Sequence, residues 1–461
     1  MVDTITIRKG LDIPIDGAAT LLLTDARSIG TYAIKPTDFV GLTPRLTVEE
    51  GDIVHVGDAL FVDKHDERIR FTSPVDGHVK AIVRGEKRKL MEVVVEADFK
   101  SPGSIGSDYK SSPTPQTADE LKAAMLQCGL WAMLRQRPFG TITNPDDKPK
   151  AIFVSAFDSA PLAPDYDFAL QGKEEWFMKG LEALTQLTDG MVHVCFRPGQ
   201  NLANVVGKGG HMGPPLRVVA HYIKGPHPAG NIGTQIAKIA PINKGEVVWT
   251  MNAQDVAVLG ELVTTGVYRP EKVIAVAGPE IKDPHYYRII AGACTEAIVA
   301  NQIEGGSTKY RVISGNALSG TQIATNGFVG AYDNMVSLLP EGDYYDFMGW
   351  LMPGFRKFSF SRTFFSGFIP KMLNWKFDTN THGDERPLVF TGNFERVFPF
   401  DIYPTQLIKA CIVGDIDLME NLGIYEVEPE DFALCEFIDT SKTDIQAIIR
   451  EALEKLRKEA M

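Results

Sequence analysis

The chain has 461 residues, 44% of them hydrophobic, and a formal net charge of −12. That length suggests about three domains, each with its own core, while the acidic balance argues against nucleic acid, which needs a basic footprint. The cysteines Cys128, Cys195, Cys294, Cys411 and Cys435 are odd in number and widely spaced, with no C-x-x-C pair. Neither a disulfide framework nor a zinc or iron–sulfur site is signalled, and a reducing cytoplasm fits best. No apolar run approaches the ~20 residues that cross a bilayer, and the N-terminal MVDTITIRKGLDIPIDG has no signal-peptide core. The chain reads as soluble, so any work at a membrane would need partners to hold it there.

In chain order, Gly10 to Gly17 reads as a strand ending in a turn that feeds the next unit. From Gly41 to Glu96 short alternating strands (Ile53–Val56, Leu60–Val62, His78–Val83, Leu90–Val95) are broken by Gly51-Asp52, Gly57-Asp58 and Pro74-Val75-Asp76-Gly77. These are turn signals, since Gly accepts positive φ and Asp bonds its own backbone. The rhythm from Val48 to Val79 resembles the barrel-sandwich hybrid of biotinyl and lipoyl carrier domains. In a lipoyl carrier a swinging lysine sits at the hairpin tip; here that position is Asp66, with Lys64 out of register, so the barrel reads as a structural or docking module. Residues 101–116, rich in Ser, Pro and Gly, read as a linker.

A capping box at Thr117 and Glu120 opens a helix that Gly129 closes. Strands at Ala151–Ala156, Val192–Phe196, Arg217–Ile223 and Val247–Met251 then alternate with helices at Lys173–Asp189 and Ala253–Thr265, implying a doubly wound, Rossmann-like sheet. Cys195 reads as a core thiol. From Lys272 a strand, a short helix (291–302) and a strand at Tyr310–Ser314 suggest a small β-grasp unit. The aromatic segment from Tyr344 to Phe400 either packs back on the barrel or is a partner surface. A last helix, about Lys442 to Lys458, carries an apolar stripe from Ile445 to Leu456 and a Ser441/Asp444 capping pattern. The domain expectation is 1–100 barrel, 117–266 Rossmann-like, 267–335 β-grasp and 336–461 aromatic segment with C-terminal helices.

A doubly wound domain raises the question of a phosphate-binding loop, where backbone N–H groups meet a phosphate at a helix N-terminus. The two glycine clusters, Gly207–Pro215 and Gly225–Gly233, do not open a strong helix, and Pro214, Pro215, Pro226 and Pro228 remove amides. Both read chiefly as rigid loops. His211, His221 and His227 match no metal-ligand spacing, the acids form no evident pair, and residue chemistry alone signals no catalytic site.

Strings along the chain carry a closer resemblance: KGLDIPIDG (9–17), FTSPVDGHV (71–79), GLWAMLRQRPF (129–139), GPHPAGNIGT (225–234), RVISGNALSGT (311–321) and GNFERVFPFDIYPT (392–405). Together they resemble the NqrA family, one of the subunits of sodium-translocating NADH:quinone reductases, with more distant similarity to RnfC and the flavin-binding subunit of respiratory complex I. RnfC-type relatives have a glycine-rich flavin loop where this chain has Trp131, Met133, Leu134 and Arg135, so the flavin pocket is expected to be filled by protein. Their cysteine sets near the tail are absent, and Cys435 is expected to be a buried thiol.

The resemblance implies a multi-domain α/β chain: barrel-sandwich hybrid, Rossmann-like domain, β-grasp (SLBB-like) unit and helical tail. It implies a peripheral subunit without its own redox cofactor, inactive alone, docked on the membrane subunit NqrB at the cytoplasmic face of the bacterial inner membrane. NADH, flavins, an iron–sulfur cluster and sodium movement would belong to other subunits. Quinone-side candidates are Trp131, Arg135, Arg137, Pro138 and Phe139, since a flat aromatic beside a cation suits a reduced quinone. The competing reading is that Trp131 and Phe139 plug a vestigial pocket while the arginines pair with acids.

Overall fold

The computed structural model describes residues 4–99, 109–110, 114–207, 217–300, 302–303, 309–345, 348–349, 351–354, 357–368 and 374–460. Most of the expected linker and residues 208–216, with His211, lie outside them. The barrel closes from a four-stranded sheet (Thr31–Ile34, Leu90–Ala97, Gly77–Arg84, Ile53–Val54) facing a three-stranded one (Pro44–Leu46, Ala59–Asp63, Arg70–Thr72). Alternate residues point inward, so Tyr32, Phe61, Val79, Val93 and Val95 are fully buried between the two sheets. At the hairpin tip Arg68 bridges Asp66 and Asp146 at 2.7 Å each, tying the barrel to the α/β region.

The seven-stranded sheet runs Thr4–Thr6, Val218–Lys224, Met191–Phe196, Ala151–Ser155, Val248–Asn252, Arg135–Arg137, Thr141–Ile142. Its first five strands are parallel and the last two antiparallel. Helices Glu174–Leu184 and Ala253–Thr265 pack together against this sheet, and the second ends at Gly266 in the left-handed conformation, as its sequence predicts. The helix Ile232–Ile239, which the sequence reading missed, packs Ile236 against Phe153 and Val248.

The expected strand over 10–17 is not formed. The N-terminal residues join three different sheets instead: Thr4–Thr6 joins the parallel sheet, Thr20–Asp25 pairs with His285–Ile290, and Thr31–Ile34 enters the barrel. Between them Ile13 and Ile15 are buried in the core of the C-terminal helices, and Asp16 N donates to Trp375 O. Isoleucines spaced by two suit a strand, but their partners are side chains from distant helices rather than a neighbouring ladder.

The third sheet has six strands, in the order Thr20–Asp25, His285–Ile290, Glu271–Ala277, Met335–Pro340, Tyr310–Ser314, Thr321–Ile323. The short helix expected at 291–302 shrinks to Glu296–Val299. One apolar core runs from the barrel through the Ala118–Cys128 helix and the parallel sheet into this third sheet. A second core belongs to the C-terminal helices, including Pro404–Val413 and Ile445–Ala460. Ile445, Ile449, Leu453 and Leu456 face that core as predicted, but Ser441 Oγ donates to Pro387 O, and Asp444 alone accepts from Ala447 N. Described residues of the aromatic segment pack on these helices: Phe358 and Phe377 lie 6.0 and 6.4 Å from Phe437.

Candidate functional site

The stretch from Gly129 to Ile142 lies where barrel, parallel sheet and C-terminal helices meet. Thr117 and Glu120 close a reciprocal capping box on the preceding helix, and Gly129 ends it at φ 83°. A Cβ there would come within 2.7 Å of Thr72 Oγ1, whose hydroxyl donates to Cys128 O at 2.8 Å. Glycine thus lets the helix end rest against the barrel. A short helical turn, Leu130–Met133, follows, then the hairpin of Arg135–Arg137 and Thr141–Ile142.

The turn and hairpin serve two sides. On the barrel side, Leu130, Ala132 and Met133 line a cavity of about 60 Å³ shared with Ile34, Phe71 and Val258. Lys35, Asp38, Asp255 and Lys272 are among the ionisable groups that border it. Lys35 Nζ donates to Phe328 O at 3.1 Å and lies 3.4 Å from Asp38. Asp38 accepts from Ala331 N, and burial pushes its carboxyl up against the pull of Lys35. Asp255, on the Ala253–Thr265 helix, is 3.8 Å from Lys272. Its Oδ2 has no hydrogen-bond partner among the described residues, and burial raises its pKa despite Lys272. Two up-shifted carboxyls beside this space are suited to holding protons.

On the other side lies a knot of arginines and acids. Arg137, almost fully buried, donates to Asp431 at 2.9 Å and to Glu430 at 2.5 Å, and its Nε is 3.8 Å from Glu428. Arg135 reaches Glu428 at 3.1 Å and lies 5.0 Å over the Tyr332 ring. Arg450 donates to Phe139 O and is 3.9 Å from Glu428. Burial lifts the Asp431 carboxyl to about 6 against the pull of Arg137, whereas for Glu430 the burial penalty is outweighed by Arg137 and Arg135 and the pKa falls.

The candidate residues are therefore held together, with Trp131, Arg137 and Pro138 buried. Trp131 has no exposed surface; its Nε1 donates to Thr143 O at 3.0 Å and its ring meets Trp249 edge-on at 5.7 Å. Pro138 is buried and follows a cis peptide. Phe139, at φ 83°, packs edge-on to Tyr425 and is half-buried. Only Arg135 and Phe139 of the five keep substantial surface. Sequence reasoning finds no pairing among the acids at 428–431; the run Glu-Pro-Glu-Asp is the signal, because its short turn aims several carboxylates at one place.

The Gly225–Gly233 cluster corrects a second expectation. It does follow a strand and open a helix, Ile232–Ile239. A Cβ at Gly233 would lie 2.3 Å from Asp431 Oδ1 and 2.5 Å from Arg137 Nη1. The first turn of this helix, the place a phosphate would occupy, is covered by the chain's own ion pair. His227 hydrogen-bonds Ser159 at 3.0 Å, and His221 pairs with His193 at 2.9 Å. Cys195 and Cys435 are buried, and burial pushes both thiols up.

Family models named for the NqrA N-terminal barrel-sandwich hybrid domain, the NqrA second alpha/beta domain and the NQRA C-terminal domain match residues 5–98, 116–268 and 273–325. The corresponding subunit of the Na(+)-translocating NADH-quinone reductase of Yersinia pseudotuberculosis is 38% identical over 457 residues, 99% of this chain and all of that one. The chain belongs to the NqrA family. The NqrA proteins of Rhodopirellula baltica and Pasteurella multocida are 38% and 37% identical, over 98% of both chains and over 99% of this chain and all of that one, respectively. A solved NAD+-reducing [NiFe]-hydrogenase, 12% identical with a TM-score of 0.39, covers 75% of this chain and 62% of its own; that likeness carries no weight for function. The NqrA members named here are subunits of a complex, and no helix among the described residues is long and apolar enough to cross a membrane.

Proposed function

We propose that the chain acts as the NqrA subunit of a Na+-translocating NADH:quinone reductase, carries no redox cofactor of its own, and contributes to the quinone-reducing end. It is held at the cytoplasmic face of the membrane by its partner subunits, chiefly NqrB. The observation that carries this reading is the full-length match to NqrA proteins. It is supported by the packing of Trp131 and Arg137 where the flavin loop of distant relatives would run, and by the Asp431–Arg137 pair over the glycine-loop helix.

Quinone reduction takes up two electrons and two protons. In this reading the electrons come from partner subunits, and this chain's part is to position the ring and hold protons. The cavity, at about 60 Å³, is far below the ~150 Å³ in which benzene binds, so the ring is assigned to the outer edge, at Arg135 and Phe139. Arg135 supplies a cation for developing charge on the quinone oxygens. Trp131, Arg137 and Pro138 fix the hairpin from behind. Asp38 and Asp255 hold protons at the cavity, and Tyr332, which donates to Ala132 O and lies beneath Arg135, lies between the two places.

A titration with a short-tailed, soluble ubiquinone, followed by tryptophan quenching with and without the membrane subunits, tests this. Saturable binding weakened about tenfold in Arg135→Gln or Phe139→Leu, the loss of one good contact, is the expected result. Unchanged affinity in both variants removes the hairpin from the quinone site, and absorbance near 450 nm in the purified chain would replace the cofactor-free reading with a flavin-bearing one.

A further inference from the structure

Between Phe347 and Phe377 the sequence holds no Asp or Glu, in a chain whose formal charge is −12, while Arg356, Lys357, Arg362, Lys371 and Lys376 are basic. Eight of the chain's 25 phenylalanines and two of its five tryptophans fall in the same stretch. Its described residues divide these side chains into two sets. Phe358 and Phe377 lie 5.6 Å apart against Phe437, and Arg396 sits 4.4 Å over the Phe360 ring. That set anchors the loop on the C-terminal helices. Leu351, Met352 and Phe365 turn outward, 63%, 59% and 59% exposed, and Arg362 and Lys376 are exposed with them.

The outward set is held in place. Phe365 N donates to Pro353 O at 2.9 Å, Ser366 Oγ bonds Lys357 O, and Gly354 packs on Phe364. A closed turn thus keeps large apolar side chains in water, where they forgo the burial that stabilises their counterparts inside. Cations with no acid among them would meet an anionic surface, and Phe, Leu and Met beside Lys and Arg match the interfacial layer of a bilayer, with apolar tips at the acyl boundary and cations at the phosphates. From Met348 to Phe368 the described residues form no strand and only the short turn Phe365–Phe368, so they offer a protein partner neither a sheet edge nor a helix face.

We propose that this loop rests directly on an anionic lipid surface, with Leu351, Met352 and Phe365 entering the headgroup layer and Arg362 and Lys376 on lipid phosphates. Lipid contact goes beyond the quinone reading and can hold or fail without it, because it needs neither quinone nor turnover.

The test places a reporter in the layer. Phe365→Trp is made in the full chain and examined with phosphatidylcholine vesicles with and without phosphatidylglycerol, the lipids carrying brominated acyl chains, and again in the complex reconstituted in those lipids. The added emission is expected to shift to the blue and be quenched when phosphatidylglycerol is present. Reversing Arg362 and Lys376 to Glu is expected to weaken vesicle binding at least tenfold, since each cation near an anionic surface contributes about fivefold. Thermal melting controls for folding. Quenching absent from both preparations overturns the proposal, and so does a Leu351→Ser, Met352→Ser variant that leaves the complex in detergent while still binding vesicles, because a partner protein would then cover the loop.

Discussion

The hairpin at 129–142 and the loop at 348–377 are built from the same materials, tryptophan, phenylalanine and arginine, yet one is closed and the other open. In the hairpin, Arg137 meets carboxylates brought from residues 428–431 and Trp131 is enclosed between strands. In the loop, Phe358 and Phe360 are anchored while Leu351 and Phe365 stay outside. Composition does not decide whether an arginine beside a ring is buried or exposed. The arrival of distant acids decides it, because a guanidinium enters a low-dielectric interior only with paired charge and filled hydrogen bonds.

Breaking the closed region should have the largest effect. Arg137→Ala leaves Asp431 buried without its cation, which should cost roughly 3–5 kcal/mol, read as a fall in urea midpoint. If the loss is below about 1 kcal/mol, the level of an exposed ion pair, the knot is not the clamp described here.

The next effect concerns pH. His227 lies beside this knot, and burial lowers its pKa from 6.5 to about 4, with Glu430 pulling the other way. The unfolded chain therefore takes up this proton as pH falls below 6.5 while the folded one does not until about 4. Stability from this group is full above 6.5 and lost towards 4, by at most roughly 3–4 kcal/mol at ~1.4 kcal/mol per pH unit. Denaturation at pH 7 and pH 4.5 should show a steeper acid loss in the parent than in His227→Asn; parallel profiles would place the histidine in water.

The smallest effect belongs to the open region. Leu351→Ser with Met352→Ser should change the melting temperature little, within the ~0.5 kcal/mol typical of surface changes. A large drop would mean that the loop is packed in solution, and the contrast between the two regions would fail.

Much of the parallel sheet was legible in the sequence. Strands at Ala151–Ser155, Met191–Phe196 and Val248–Asn252, the Thr117 capping box and the left-handed Gly266 each follow from residues within a few positions of one another. Several barrel strands were legible for the same reason, since Gly-Asp turns and alternating apolar residues act locally. The strings that resemble the NqrA family also made the family recognisable.

The candidate site was legible in place but not in state. Residues 129–139 could be singled out, but nothing near them in sequence says that Trp131 would bond Thr143 or that Glu428, Glu430 and Asp431 would surround Arg137. The N-terminal residues were misread for a related reason: Thr4–Thr6, Thr20–Asp25 and Thr31–Ile34 serve three different sheets, and strand propensity does not specify a partner. The sequence by itself thus determined many of the elements and the family, because caps, turns and periodicity are short-range. Only the tertiary structure decided which charges are buried, which rings are covered and which helix N-terminus is already occupied, because those outcomes depend on groups about 200 to 300 residues apart in the chain.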